Sequence, residues 1–325
     1  MNRRLFAGAL AWAALAAVQP VAAQAPAYPS HPIKIVVPYP AGASPDVVAR
    51  VLADKLQHSL GQPVIVENKP GASGMIGGEA VARSPADGYT LFMSVTGVMA
   101  MNPHIYRIAK YDPLKDFRGV SLVLDVPFVL TATTTKPYTA SLAAMLDAAR
   151  QAPGSLKYAS AGAGSHSHVA TEWLSSLAGI RMTHVPYAGM QMTTDLLSGL
   201  VDVYLDPILT ADPLVKAGKV RALGITSEKR SPLMPDVPAL GEVLPGFVSY
   251  AFQGIFAPAA TPDVIVQRLS SEITKIIRMP DVQARIAGWG YLPIGGSGAD
   301  LDQRLRRDHE LYGRIIRDNG IRVNP

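Results

Sequence analysis

Short strand-like segments alternate with helical segments along most of the chain, and this alternation restricts the possible folds more than any other feature. The segment "IKIVV", starting at Ile33, reads as a buried strand. The segment after it is predicted to be a helix with Ser44 as the N-cap, Pro45 at the first helical position and Asp46 in the first turn. Apolar residues follow at helical spacing: Val48, Val51, Leu52, Leu56 and Leu60.

Six further strands are predicted in the order "PVIVEN", "YTLFMSV", "LKYAS", "MTHVPY", "VDVYLD" and "VRALGIT", each followed by a turn or a helical stretch. Strands that alternate with helices favour an α/β fold with a mainly parallel sheet. In such a sheet, ligands bind beyond the carboxyl ends of the strands.

Two longer apolar segments, residues 120–133 and 248–259, interrupt the alternation. A chain that crosses from one α/β lobe to another and later returns needs two such connectors. We therefore predict one lobe formed by residues 26–125 together with 252–325, and a second lobe formed by residues 126–251.

The N-terminus has the charge and apolar order of a secretory signal. Arg3 and Arg4 precede fourteen uncharged residues, and the small-residue stretch "PVAAQA" follows. We predict a signal peptide over residues 1–23, with cleavage after Ala23, and a mature protein outside the cytoplasm, which the family resemblance described below places in the periplasm. The uncharged run is shorter than the ~20 residues that span a bilayer, which argues against a membrane anchor. The arginine pair leaves export by the Sec or the twin-arginine route open.

The chain has no cysteine, which excludes disulfides, thiolate metal ligands and a cysteine nucleophile. Without Arg3 and Arg4 the formal net charge falls from +5 to +3, and the remaining basic residues are scattered. We therefore expect no nucleic-acid partner. We expect a monomer without a metal or cofactor.

Two glycine-bearing loops, residues 41–44 and 160–165, each connect a predicted strand to a predicted helix, the second helix running over about residues 167–178. Each loop offers free backbone N–H groups and the positive end of a helix, which together form a general anion site. If the two lobes face each other, the two loops can hold one carboxylate from both sides.

Other interpretations of these residues stay open from the pattern alone. The histidines 166, 168 and 184 could ligate a metal, although no acidic residue stands at ligand spacing in the loop. Ser165 beside His166 could be a nucleophile and its base in an α/β hydrolase-type enzyme, but the GxSxG pattern is missing. The glycines of "PGASGMIGG" match a dinucleotide fingerprint only loosely, and any single glycine could serve a turn alone.

Many ordered blocks of the chain resemble the Bug/TctC family of extracytoplasmic solute receptors, the binding components of tripartite tricarboxylate transporters. The resemblance covers essentially the whole mature chain and includes "YPSHPIKIVVPYPAGASPDVVAR", "LGQPVIVENKPGASGMIGGEAVA", "SPADGYTLFMS", "YASAGAGSHSHVATE" and "HVPYAGMQMTTDLLSGLVDVYLDP". It implies a two-lobed periplasmic-binding-protein fold of the Venus-flytrap, type II-like kind, with two strands crossing the hinge. It also implies a small carboxylate or amino-acid-like ligand and membrane transporter components as partners. A receptor that presents its ligand to a membrane sensor kinase is the alternative.

The resemblance also implies which residues contact the ligand. Ordinary alternatives exist for some of them: Asp46 as a first-turn acid, Asp206 as a turn cap, and the tyrosines as core residues. The implied ligand contacts are Tyr39, Gly42, Ala43, Ser44, Asp46, Ser94, Thr96, Ser160, Gly164, Ser165, His168, Tyr187 and Asp206.

Three positions depart from the family pattern. Ala43 replaces a usual second glycine, so the loop would be strained if that position needs a positive φ. His166 replaces a small hydroxyl residue and adds a bulky titratable group near the ligand. Ala188 stands where lysine is common, which argues against a highly charged ligand such as citrate.

Overall fold

The computed structural model describes residues 28–106, 110–187 and 191–321, so the predicted signal peptide and Ala188 lie outside the described residues. The strands are β1 (Ile33–Val37), β2 (Val64–Asn68), β3 (Thr90–Val95), β4 (Phe117–Thr133), β5 (Lys157–Ser160), β6 (Thr183–Pro186), β7 (Val203–Pro207), β8 (Val220–Ile225), β9 (Tyr250–Pro258) and β10 (Leu292–Ser297).

The helices follow or precede these strands along the chain. They are α1 (Ser44–Leu60), α2 (Met75–Ala82), α3 (Asn102–Ile105), α4 (Leu142–Gln151), α5 (His166–Ala178), α6 (Gln191–Ser198), α7 (Ile208–Lys216), α8 (Asp263–Ile277), α9 (Pro280–Gly288) and α10 (Gly298–Asp318). Among the described residues, no helix is both long and apolar enough to span a bilayer.

The strands form one continuous path in the order β2-β1-β3-β9-β4-β7-β5-β6, with β8 and β10 also pairing with β4. The expected parallel pairing holds within each lobe, where β1 lies between β2 and β3 and β5 lies between β6 and β7. Every pairing of β4 and β9 is antiparallel. The prediction of a mainly parallel sheet is therefore wrong, because the connecting strands run against the α/β strands of both lobes.

The strand β4 belongs to both lobes. Its first part, up to Pro127, pairs with β9 and β10, whereas the part from Phe128 onward pairs with β7 and β8. The second predicted connector returns the chain to the first lobe as β9, whose Tyr250 lies opposite Pro127. This arrangement confirms a two-lobed α/β fold, and the lobe boundaries 26–125 with 252–325 and 126–251 stay a prediction.

Helix α1 begins one residue earlier than predicted. Ala43 is the N-cap, with φ −67° and ψ 157°, and Ser44 is the first helical residue, which corrects the prediction of Ser44 as the cap. The strain considered for Ala43 does not arise, since its φ is negative. The preceding Gly42, with φ 84°, supplies the left-handed turn. The predicted apolar stripe of α1 is buried.

The C-terminal helix α10 packs on the first lobe and reaches the second. Its Arg304 forms an ion pair with Asp125 of β4, 3.0 Å apart. Farther along, the ring of Tyr312 meets the edge of His166, the first residue of α5, with centroids 5.8 Å apart. The helix therefore touches both lobes close to where β4 crosses between them.

Candidate functional site

A cavity of about 240 Å³ lies between the lobes at the N-terminal ends of α1 and α5. This volume is at the small end of the range of ligand sites, ~300–1,000 Å³, and suits a small solute. The cavity is lined by Tyr39, Ser44, Pro45, Ser73, Val95, Gly97, Asn102, Val126, Phe128, Ala161, Ala163, Gly164, Ser165, His166, Ser167, Tyr204, Pro207, Ala251 and Gln253. Among the described residues, this lining is neutral, with apolar walls and a group of hydroxyl, amide and imidazole side chains.

The first loop, residues 41–44, is held from behind by a buried carboxylate. Asp46 is 1% exposed and accepts hydrogen bonds from the backbone N–H of Gly42 at 2.8 Å and from the amide of Asn68 at 2.9 Å. Arg50 completes the cluster with an Nη2 to Oδ1 distance of 2.9 Å. Burial alone would raise the pKa of Asp46, but the hydrogen bonds from Arg50, Gly42 and Asn68 hold it below its usual value.

The start of α1 leaves one backbone donor unused. Within the described residues, the N–H of Ser44 has no hydrogen-bond partner, and Pro45 has no N–H to offer. The N–H groups of Asp46 and Val47 both donate to the carbonyl of Ala43. The start of α1 therefore presents one free N–H, at Ser44, together with the positive end of the helix.

The second loop, residues 160–165, is held by neutral groups. Ser165 is the N-cap of α5, and its Oγ accepts from the N–H of His168 at 3.3 Å. The N–H of Gly164 donates to Nδ1 of His168 at 3.0 Å, and the N–H of Ala161 donates to Oγ of Ser167 at 3.1 Å. In the described part of the chain, the N–H groups of His166 and Ser167 have no partner, so α5 offers two free donors.

Behind this loop, two imidazole rings stack and stay neutral. The rings of His168 and His184 lie 3.8 Å apart and nearly parallel, and Nε2 of His184 pairs with Oγ of Ser160 at 2.6 Å. Burial lowers the pKa of His168 to about 3, with His184 acting in the same direction, and burial lowers the pKa of His184 to about 4. Neutral rings in this position support the loop without repelling or attracting charge.

The arrangement fits neither of two alternatives, a metal site at the histidines and a catalytic pair of Ser165 and His166. Nδ1 of His168 accepts from Gly164, and no group of His, Asp and Glu side chains within the described residues could hold a metal. Ser165 is occupied as a helix cap, and the imidazole beside it, His166, pairs instead with Ser249 at 3.0 Å. A nucleophile and its base are thus not paired here.

The glycine-rich segment 70–78 also has a structural explanation. A Cβ on Gly77 would lie 3.1 Å from the carbonyl of Lys69 and from Pro38, and one on Gly78 would lie 2.7 Å from the ring of Tyr111. These glycines let α2 approach the neighbouring backbone and ring closely. Close helix contact accounts for the spacing that loosely matched a dinucleotide fingerprint.

The strand β9 connects the two helix starts. Alternate residues of a strand point to the same face. On this face Gln253 donates from Nε2 to Oγ of Ser44 at 2.7 Å, Ala251 lines the cavity, and Ser249, just before the strand, pairs with His166. Ser249 and Gln253 are four residues apart, about 13 Å along an extended chain. One strand thereby sets the positions of the first residue of α1 and the first residue of α5.

A tyrosine joins the lobes across the cavity rim. The hydroxyl of Tyr106, at the end of α3, donates to the carbonyl of Ala163 at 2.8 Å and pairs with Oγ of Ser73 at 3.0 Å. Both Ser73 and Ala163 line the cavity. The contact links the first lobe directly to the second loop.

The predicted ligand contacts fall into three groups. Tyr39, Ser44, Gly164 and Ser165 line the cavity. A second group supports the two loops from behind: Gly42, Ala43, Asp46, Ser160 and His168. The third group lies away from the lining: Ser94, Thr96, Tyr187 and Asp206. Contact of any of these residues with a ligand stays a prediction.

Strand alternation explains part of the third group. Val95 and Gly97 line the cavity. Ser94 precedes Val95 and Thr96 follows it, so the side chains of both point away from the cavity. Oγ1 of Thr96 accepts from the N–H of Phe252 at 2.8 Å, which ties β3 to β9. Thr96 therefore serves the sheet in this conformation, whereas the buried hydroxyl of Ser94 has no partner among the described residues.

Two further residues of the third group have partners of their own. The hydroxyl of Tyr187 donates to Asp195 at 2.7 Å. Asp206 is 3% exposed and accepts from the hydroxyl of Thr210, and its burial raises its pKa to about 7. Burial therefore reduces the negative charge that Asp206 carries near neutral pH next to the cavity wall.

The residues predicted from the sequence did not include several polar residues of the lining, namely Ser73, Asn102, His166, Ser167 and Gln253. A signal existed for Gln253, because it is the one amide in the apolar segment "YAFQGIFAP". A lone amide in a buried strand needs a partner, and the cavity face supplies it. Asn102 gave no comparable signal, since it stands in a loop-like stretch before Pro103.

Residues 48–321 match the family described as "Tripartite tricarboxylate transporter family receptor". Protein BugT of Bordetella pertussis is 34% identical over 91% of this chain and 91% of its own length. A UPF0065 protein in the tcbD-tcbE intergenic region of Pseudomonas sp. (strain P51) is 36% identical over 92% of this chain and 89% of its own.

Solved structures agree with these sequence relatives. R. palustris Rpa4515 with adipate superposes with a TM-score of 0.83 at 32% identity, covering 91% of this chain and 100% of that one. MatC from Rhodopseudomonas palustris with bound malate gives a TM-score of 0.79 at 31% identity, covering 89% and 100%. The periplasmic binding protein BugD gives 0.80 at 30% identity, covering 91% and 100%.

Proposed function

The chain belongs to the tripartite tricarboxylate transporter family of receptors, and on this basis we propose that it binds a small carboxylate in the cavity between its lobes. Membership confirms the expected family and the two-lobed fold, and it identifies the chain as a solute-binding receptor, not an enzyme. The proposal concerns the ligand, the residues that hold it and the partners that receive it.

The observation that carries the proposal is the convergence of two helix starts on one cavity. The free N–H groups of Ser44, His166 and Ser167 provide three donors for two carboxylate oxygens. Each helix end adds ~0.3–1 kcal/mol when exposed and up to ~2 kcal/mol when partly buried. Because the donors come from both lobes, the full interaction requires the lobes to enclose the anion.

The rest of the ligand would meet a mostly apolar surface. Val95, Val126 and Phe128 line the cavity, and Phe128 is the first residue of β4 in the second lobe. Apolar walls favour a ligand whose body is aliphatic or aromatic. The adipate and malate bound by two structural relatives support a carboxylate as the common group.

Periplasmic location and transporter partners complete the proposal. Its support is the family match and the predicted export signal over residues 1–23. In this function the lobes close over the carboxylate and the loaded receptor passes it to the membrane components of a tripartite transporter. Uptake of a labelled ligand by cells with and without the gene tests this part, and unchanged uptake would contradict it.

A thermal-shift screen of ligand-stripped protein tests the ligand class. The panel contains adipate, malate, butyrate and benzoate, each matched with its uncharged amide. A carboxylate at 100 times its dissociation constant adds about 2.7 kcal/mol to the free energy of unfolding, and its amide should add far less. The proposal would be contradicted if the folded protein showed no thermal shift with any carboxylate, or the same shift with a carboxylate and its amide.

A further inference from the structure

The side chain of His166 has one ring nitrogen paired and the other buried without a partner among the described residues. His166 is 7% exposed and lines the cavity, and its ring stacks on Phe128 with centroids 4.5 Å apart. Nε2 pairs with Oγ of Ser249 at 3.0 Å. Nδ1 is buried and, within the described residues, has no hydrogen-bond partner. A buried polar atom of this kind is costly unless a ligand or water satisfies it.

A chain of two hydroxyls determines which nitrogen carries the proton. The buried hydroxyl of Tyr312 lies 3.2 Å from Oγ of Ser249, which is its partner among the described residues. If Tyr312 donates to Ser249, Ser249 donates in turn to Nε2 of His166, and every hydroxyl hydrogen has an acceptor. The reverse order leaves the hydrogen of Tyr312 without one. The favoured order places the imidazole proton on Nδ1.

We propose that His166 is a specificity-determining residue that donates a hydrogen bond from Nδ1–H to the bound carboxylate, in the tautomer fixed by Tyr312 and Ser249. This inference rests on the proposed function, because it names a further donor of the same site. It adds a side-chain donor from the second lobe to the three backbone donors. It also makes Ser249 and Tyr312 positioning residues, since they act through His166.

The ring is a neutral donor at physiological pH. Burial lowers the pKa of His166 to about 3, and Arg304 of α10 acts in the same direction. Arg304 is itself paired with Asp125 and Asp308, so its charge is largely balanced. Phe128 and the hydroxyls of Ser249 and Tyr312 cover the remaining sides. The site therefore recognises the anion with dipoles, and binding does not depend on a histidine charge between pH 5 and 8.

The far end of the Gln253 amide complements this donor. Nε2 holds Ser44, while Oε1 is buried and unpartnered within the described residues. A half-turn of the amide exchanges the two groups, so Gln253 can offer the ligand either an acceptor or a donor. His166 lacks this freedom, because its tautomer is fixed by two neighbours. The ligand group beside His166 must accordingly be an acceptor.

Two substitutions separate the two nitrogens. The amide of His166→Asn reaches the position of Nδ1 and keeps the donor, whereas the amide of His166→Gln reaches the position of Nε2 and keeps only the contact with Ser249. Titration calorimetry with adipate, malate, butyrate and benzoate should show about tenfold weaker binding for His166→Gln. His166→Asn should recover most of this loss, and His31→Gln, at an exposed position, is the control. Equal affinities for the Gln and Asn variants would overturn the inference.

A second measurement does not need a ligand. Nuclear magnetic resonance of protein with ¹⁵N-labelled histidine should show His166 protonated on Nδ1 and unchanged between pH 8 and pH 5. Ser249→Ala should release the tautomer and give a mixture. An Nε2–H tautomer or an imidazolium in wild-type protein would overturn the inference. If no panel carboxylate binds, the proposed function fails, and the resonance result still decides the geometry at His166.

Discussion

Both loops hold a helix start that presents free N–H groups to the cavity, but different side chains hold each loop in place. The first loop is organised by an ionic cluster around Asp46 and leaves α1 without a side-chain cap. The second is organised by neutral serines and imidazoles and caps α5 with Ser165. The start of α1 offers one free backbone N–H and the start of α5 offers two. The comparison indicates that an anion site needs free N–H groups aligned toward the anion. The charged side chains that hold a loop in place can lie on the side of the loop away from the anion.

Acid should weaken the second loop long before the first, and this is the largest expected effect. In the unfolded chain His166, His168 and His184 bind protons as the pH falls through 6.5, but in the folded protein their pKa values are about 3 to 4. Stability present above pH 6.5 is therefore lost on the acid side between pH 6.5 and 5, by about 1.5 kcal/mol for each of His166 and His168 and by less for the more exposed His184, whose charge water screens.

Urea unfolding at several pH values checks this difference. His168→Asn should remove one histidine's share of the pH slope. Asp46→Asn should leave the slope between pH 6.5 and 5 unchanged, because the pKa of Asp46 is lowered from 3.8 and its contribution is lost only below that value. The comparison would be reversed if Asp46→Asn changed the slope of stability against pH between pH 6.5 and 5 while His168→Asn left it unchanged.

Much of the difference between the two loops could not be predicted from the sequence. The strand and helix pattern predicted β1 to β3, β5 to β8 and the stripe of α1, because burial periodicity is local. It did not predict β10 or the antiparallel pairing of β4 and β9, which depends on how the two lobes are joined. The contacts between Ser249 and His166, and between Gln253 and Ser44, join residues far apart in sequence, so no local signal exists for them.

Part of the site could be predicted from the sequence. Glycine followed by a helix start marked both loops, since that chemistry is local. Ligand contact of Ser94 and Thr96 stays a prediction, and in this structure strand alternation directs the neighbouring Val95 to the cavity.

Removing the carboxylate behind the first loop should cost about 3 kcal/mol of stability, the second largest effect. Asp46→Ala leaves the N–H of Gly42 and the amide of Asn68 without their acceptor. Asp46→Asn retains an acceptor and should lose roughly half as much. Chemical denaturation measures both, and a loss below about 1 kcal/mol for Asp46→Ala would show that the cluster does not organise the loop.

The glycines of the two loops should respond unequally. Gly42 and Gly164 both have positive φ, 84° and 79°. A Cβ at Gly42 meets nothing within 4 Å, whereas one at Gly164 lies 3.2 Å from Ile105 and 3.3 Å from the ring of Tyr106. We expect Gly42→Ala to cost about 1 kcal/mol and Gly164→Ala about 2 kcal/mol.

Gly164→Ala should also weaken ligand binding, because Tyr106 holds the neighbouring Ala163 carbonyl. Thermal unfolding and calorimetry measure the two effects, and Tyr106→Phe is the matched control for the lost hydrogen bond. Equal costs for the two glycine variants would show that the Tyr106 contact does not restrict the second loop.

The smallest effects should come from the helix caps. Ser165→Ala removes the cap of α5 and should cost about 1 kcal/mol while weakening carboxylate binding. Ala43→Ser gives α1 a side-chain oxygen in the cap position and should add about 0.5 kcal/mol. A stabilising effect of Ser165→Ala, or a destabilising effect of Ala43→Ser, would contradict the assigned caps.

A crystal structure with the most strongly stabilising carboxylate of the panel tests the central claim most directly. The account predicts one carboxylate within hydrogen-bonding distance, about 2.7–3.2 Å, of the backbone nitrogens of Ser44, His166 and Ser167. Such a carboxylate would be held by both lobes at once. A ligand bound through only one helix start, or one whose carboxylate lies away from both, would contradict the account.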